Sequence, residues 1–279
     1  MNFDPPNRIE SEYRALINKL MKRYFLPESF TPPDILRAFE NLSRSPEVLE
    51  SLALNIAQRM ITHLKVSNAR SWREAAREAG RGREIYEALQ GEMETKVGAR
   101  VMELVRENAK LISSIPSDIR NQVNGEIQRL QLQGLRPEAV EEYLRKRVPQ
   151  LTRTRARLIA RTETSKAATA LTRARSEDLG VGWYQWVTSE DQRVRPSHQL
   201  MNKVLVSWAD PPNPETLARE SNDHGPYAAG DIYNCRCIPL PVISLDTISW
   251  PARVYVNGRI QRMSRARFAE LAGMRKKAA

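Results

Sequence analysis

Through the first 180 residues apolar side chains return every three or four positions, and glycine is nearly absent from the segments that carry them. That spacing marks helices with one buried stripe, because 3.6 residues complete a turn. From Ile85 through Leu89, Met93, Val97, Val101, Leu104 and Val105 the stripe predicts one amphipathic helix of roughly 25 residues. Prolines at 27, 32, 33, 46, 116, 137 and 149 read as punctuation between helices. Gly134 is expected to break the stretch that begins at Ser117, with Arg136 and Pro137 opening the next helix.

After Gly180 the pattern changes. Four of the five tryptophans, both cysteines and the remaining five glycines fall in the last hundred residues. WYQWVTS alternates large side chains on two faces as a strand does, VLVSW is a second short strand, and DIYNCRCIPLPVIS a third. RVYVNGRIQ signals a hairpin, since Asn257-Gly258 suits the turn that joins twisted antiparallel strands. Ser264 is placed to cap a last basic helix, SRARFAELAGMRKK. The expected fold class is α+β: a long, mainly helical N-terminal region followed by a small mixed domain with a short antiparallel sheet.

The net charge is +11, and its distribution points to a polyanionic partner. Nine basic residues face the single acid Glu163 between Lys146 and Arg175, and eight face Glu270 between Trp250 and Ala279. Arg153, Arg155, Arg157, Arg173 and Arg175 in the first block, with Arg262, Arg265, Arg267, Arg275, Lys276 and Lys277 in the second, are candidates for sequence-independent DNA contact. The competing reading is a solvated helix face that keeps the protein soluble. No secretory signal and no apolar membrane span are visible, so a soluble protein in a reducing compartment is expected.

The two cysteines are one residue apart, at Cys235 and Cys237. On an extended segment they point to the same face with α-carbons roughly 6.5 to 7 Å apart, at the limit for a disulfide. Two thiols on one face, with His198 and His224 in nearby connections, offer the donor set of a tetrahedral structural zinc site, although the spacing is not that of a zinc finger. The alternative is that both cysteines are small buried hydrophobes beside His198, with Arg236 on the opposite face free for solvent or a partner. Ser197 reads as a helix cap ahead of His198. Between Thr152 and Gly180, Ala156, Ala160, Glu163, Ala167, Leu171 and Ala174 share one stripe, and Glu163 is its only charge. A carboxylate on so close-packed a seam calls for a cation, and Arg193 or Arg195 is the expected partner.

The order RLIARTET, WVTSEDQRVRPSH, a Pro- and Asn-rich loop of some thirty residues, then YNCRCIP, resembles the phage Mu protein F-like family of minor head proteins, also called phage head morphogenesis proteins. The resemblance runs from about Ser113 to Val242. It implies a minor capsid protein that sits with the portal inside the procapsid and assists head assembly and the packaging or ejection of DNA. The motif residues it implies are Arg161, Thr162 and Glu163 on the helix, Asp191, Arg193, Arg195 and His198 in the sheet region, and Asn234, Cys235, Arg236 and Cys237 near its end. The implied partners are a portal protein, capsid or scaffolding proteins and double-stranded DNA; the implied location is the virion interior near the portal, after assembly in the host cytoplasm. The partition that follows is 1–112 for portal or oligomer docking, 113–245 for the head-morphogenesis domain, and 246–279 for a hairpin with a basic helix. Where many family members have Asp-Gly after the histidine, this chain has Asn202-Lys203, and the turn is expected to survive because asparagine tolerates the left-handed conformation.

A structural role accounts for these features without an active site. The alternative is an enzyme in which His198, Asp191, Glu163 or a cysteine-held metal acts on nucleic acid or another phage component. Against it, the sequence contains no P-loop, HExxH or GxSxG. A DNA-binding regulator fits least, because the basic helix is too alanine-seamed for a recognition helix.

Overall fold

The computed structural model describes residues 3–25, 34, 37, 46–134 and 136–274. Among the described residues the front half includes the helices α1 (Asn7–Phe25), α2 (Pro46–Glu78), α3 (Gly82–Gly91), α4 (Lys96–Leu132) and α5 (Pro137–Asp178). Behind them come β1 (Trp183–Val187), α6 (Pro196–Met201), β2 (Leu205–Ser207), α7 (Pro214–Ala218), β3 (Ile238–Pro241), β4 (Ala252–Val256), β5 (Arg259–Met263) and α8 (Arg265–Leu271). The chain divides into two compact units, one built from residues 6–63 and 102–164, the other from 1–5, 64–101 and 165–279.

The single helix expected from Ile85 to Val105 is interrupted. A 3-10 turn at Glu92–Glu94 separates α3 from α4, and the Thr95 hydroxyl then accepts the Val97 amide at 3.1 Å as an N-terminal cap does. Prolines 116 and 149, expected between helices, lie inside α4 and α5. Each removes one ladder hydrogen bond at a cost of about 3 kcal/mol. Burial on both sides outweighs that: Ile112, Ile115, Ile119 and Val123 flank the first proline, and Val148, Leu151 and Ala156 the second, all in the core. Gly134, left-handed with φ +75°, does end α4 as expected.

In the unit built from 6–63 and 102–164, α1 buries Tyr13, Ile17 and Met21. The Tyr13 hydroxyl donates to Asn108 Oδ1 at 2.9 Å, and Asn108 in turn donates to the Leu104 carbonyl. Glu126 receives Tyr143 and Arg147, and Asp118 receives Arg155, pairs that tie α5 to α4 along their exposed edges.

The other unit holds a five-stranded sheet in the order β3-β1-β2-β4-β5. Its pairs are antiparallel apart from β2 with β4, which meet in parallel at Leu205 and Val254. Alternation along β1 turns Tyr184 and Trp186 fully into a core with Val204, Val206, Trp208, Tyr227, Cys235 and Cys237. A second cluster gathers Leu205, Val254, Met263 and Phe268, and a third joins Trp72, Ile85 and Leu89 to Val181 and Ile243. The alanine seam is real: Ala167, Leu171 and Ala174 of α5 are buried, and Thr169 donates to the Ala229 carbonyl at 2.7 Å. The hairpin turns at Asn257 and Gly258, both with positive φ, and Ser264 caps α8 through the Arg267 amide.

The turn after α6 survives with its strain at a different residue. Asn202 is extended, with φ −55° and ψ 128°, and Lys203 is left-handed, φ +63°, in the position where glycine is expected from the family pattern. A side chain there costs about 1–2 kcal/mol, of which glycine's greater unfolded freedom would offset part. Lys203→Gly is therefore expected to raise stability by roughly 0.5–1 kcal/mol in denaturant titration.

Candidate metal centre

The Cys-Arg-Cys segment is not part of a strand. Residues 232–234 make a turn closed by the Cys235 amide on the Ile232 carbonyl, with Asn234 left-handed at φ +54°, and β3 begins only at Ile238. The turn drives both thiols inward, each 3% exposed, against His198, itself 2% exposed. His198 is carried by α6, which starts at Pro196. Ser197, expected to cap this helix, sits within it instead: its amide donates to Glu220 and its hydroxyl to Glu215.

Nδ1 of His198 faces the two sulfurs, at 3.6 Å from Cys235 and 3.3 Å from Cys237. The Cys237 amide also donates to Cys235 Sγ at 3.3 Å. Hydrogen bonding from Cys237 pulls the Cys235 thiol down, while its neighbour and burial push Cys237 up. Both cysteines are free of disulfide bonds.

The opposite ring nitrogen, Nε2, lies 2.9 Å from the Tyr227 hydroxyl, which donates to Glu215 Oε1 at 2.6 Å. Burial, then the adjacent carboxylate, raises the Tyr227 pKa, so the phenol keeps its proton and spends it on Glu215. Tyr227 must then accept from His198, which puts the ring proton on Nε2 and leaves the Nδ1 lone pair toward the sulfurs. Asn213 caps α7 and Pro214 opens it, and this places Glu215, 1% exposed, at the end of the relay. Nothing in the sequence flags Tyr227 or Glu215, because a relay of three residues at positions 198, 215 and 227 has no periodic signature.

Residues 118–239 match the model of the family described as Phage Mu protein F like protein. The chain carries a Mu F-like segment. It contains His198, Glu215, Tyr227 and both cysteines, and its bounds agree with the resemblance drawn from the motifs. A Haemophilus influenzae protein (strain ATCC 51907 / DSM 11121 / KW20 / Rd), named Uncharacterized protein, is 33% identical over 144 residues, which cover 52% of this chain and 30% of the relative. The chain thus spans less than a third of that relative's length. No solved structure matches the chain.

Within the Mu F-like segment the expected residues separate into groups. Among the described residues, His198, Cys235 and Cys237 are the donors brought within 4.8 Å of one another. His224, expected as a fourth ligand, is exposed elsewhere, its ring edge against Tyr233 and its Nε2 3.3 Å from the Tyr233 hydroxyl. Arg236, expected to be free, forms a two-pronged pair with Asp191, whose carboxyl is held below the usual range by that guanidinium. Arg195, proposed for Glu163, stacks on the Tyr233 ring at 4.7 Å and donates to its carbonyl. Arg193 contributes its amide to Asp191, while Arg161, Thr162 and Glu163 belong to the unit built from 6–63 and 102–164.

The basic candidates also divide. Arg175 is not available to DNA: it is 1% exposed and locked to Glu92, Asn68 and the Lys65 carbonyl. Arg155 is paired with Asp118, Arg173 with Glu177, and Arg265 with Asp246. Arg153, Arg157, Arg262 and Arg267 are exposed. Arg275, Lys276 and Lys277 lie outside the described residues.

Proposed function

We propose that this chain is a phage minor head protein that associates with the portal inside the procapsid and contacts packaged DNA without sequence preference. The observation that carries the reading is the Mu F-like match over residues 118–239, in a chain of net charge +11. Exposed arginines at 153, 157, 262 and 267 supply the phosphate-contacting groups. Among the described residues no helix is long and apolar enough to cross a membrane. The role is structural: thiols 3% exposed suit a closed site better than a nucleophile, which has to reach its substrate.

Particles assembled by the phage or prophage encoding the chain should contain it by mass spectrometry, and cross-linking should join it to the portal. Its presence in the lysate but not in particles would overturn the reading. For the DNA part, affinities for unrelated duplexes should be equal and fall log-linearly with salt, with a slope near −0.9 for each phosphate contact. Arg262→Ala with Arg267→Ala should flatten that slope by roughly 2.

A further inference from the structure

We propose that Nδ1 of His198 and the sulfurs of Cys235 and Cys237 bind one zinc ion, with the fourth position left to a water or a small inorganic anion. The proposal is independent of the capsid reading. It begins with distance. With Zn–S near 2.3 Å and Zn–N near 2.0 Å, tetrahedral angles put sulfur about 3.5 Å from nitrogen. The two sulfurs stand at 3.6 and 3.3 Å from Nδ1, and all three donor atoms lie within 4.8 Å of one another.

The surrounding groups have the features that such a ligand set needs. One lone pair on Nδ1 faces two sulfurs and can accept from one thiol at a time; a cation at their centre serves all three. The relay from His198 through Tyr227 to Glu215 keeps the proton on Nε2, the outer-shell arrangement that orients a metal-binding imidazole. The Cys237 amide on Cys235 Sγ supports negative charge on sulfur. Binding releases the two thiol protons to solvent and forms two Zn–S bonds, so the buried centre, two thiolates and one Zn2+, carries no net charge.

No fourth protein donor is among the described residues of the cluster. Instead His198 and both cysteines line a cavity of about 120 Å³ whose other walls include Arg193, Arg195 and Arg236. That volume admits about four waters at roughly 30 Å³ each, so a water or a small anion can complete the tetrahedron and a protein side chain need not.

The full-length chain, purified without chelator, is expected to hold about one zinc per chain by elemental analysis. After removal of the metal and titration with Co2+, thiolate-to-cobalt absorption and the d–d bands of a tetrahedral site should appear, and added azide should shift the d–d bands. Cys235→Ser combined with Cys237→Ser should abolish the charge-transfer band, His224→Ala should leave it intact, and Tyr227→Phe should weaken zinc affinity about 10- to 100-fold. The wild-type titration needs no variant to fold. Absence of both zinc and cobalt bands in wild-type protein with native circular dichroism would overturn the site. Loss of the bands in His224→Ala would overturn the three-donor set, and d–d bands insensitive to azide would overturn the open fourth position.

Discussion

Arg175→Met is expected to destabilise the unit that holds the sheet by about 3–5 kcal/mol, measured as a fall in the urea midpoint at unchanged slope. Arg175 is 1% exposed on α5 and grips Glu92 through two nitrogens, at 2.7 and 2.8 Å, while also donating to Asn68 and the Lys65 carbonyl. Removing the guanidinium strands a carboxylate that is 6% exposed, and a buried charge without a partner costs far more than the pair contributes. Glu92→Leu together with Arg175→Met should recover most of the loss, because two apolar side chains leave no orphan charge. A double variant no more stable than Arg175→Met alone would mean that Asn68 and the Lys65 carbonyl carry the cost.

The second large effect is at Gly230. Its φ of +85° is one that side chains rarely adopt, and an added Cβ would stand 2.4 Å from Thr169 Oγ1 and 2.8 Å from the Cys237 carbonyl. Backbone strain of about 1–2 kcal/mol adds to overpacking of about 1–3 kcal/mol, so Gly230→Ala should cost roughly 2–5 kcal/mol. The carbonyl at risk belongs to a cysteine of the candidate centre, so the damage should be local as well as global. Cysteines protected from a thiol reagent in the native protein should react faster in Gly230→Ala under conditions where the variant remains folded. Unchanged reactivity and stability would mean that the loop from Tyr227 to Asp231 yields without cost.

Much of the second half was legible because its signals are local. The alternation in WYQWV, the Asn-Gly turn and the Ser264 cap each depend on neighbouring residues alone, and each is found where the sequence placed it. The prolines of α4 and α5 were misread for the opposite reason. A proline's penalty is visible in the sequence, whereas the burial of Ile112, Ile115 and Ile119 that outweighs it depends on distant chain. Arg175 looked like one more member of a basic run, and only its three-dimensional partners, 83 and 107 residues away, show it to be interior. The thiols and His198 were correctly brought together, but the extended reading of Cys-Arg-Cys missed the left-handed Asn234 that turns them inward, and with it the pairing of Arg236 to Asp191.

The interleaving of the two units sets an order of events during synthesis. All chain for the unit built from 6–63 and 102–164 has been made once residue 164 is joined, but the other unit needs chain that runs to residue 279, a further 115 residues. At about 5–20 residues per second that is roughly 6 to 23 s. For the first 79 of those residues, from 164 to 243, Trp72, Ile85 and Leu89 have been translated without Ile243, which belongs to their cluster. The sheet-bearing unit is thus the late-maturing part of a nascent chain, and its half-made apolar faces are what a ribosome-associated chaperone would meet.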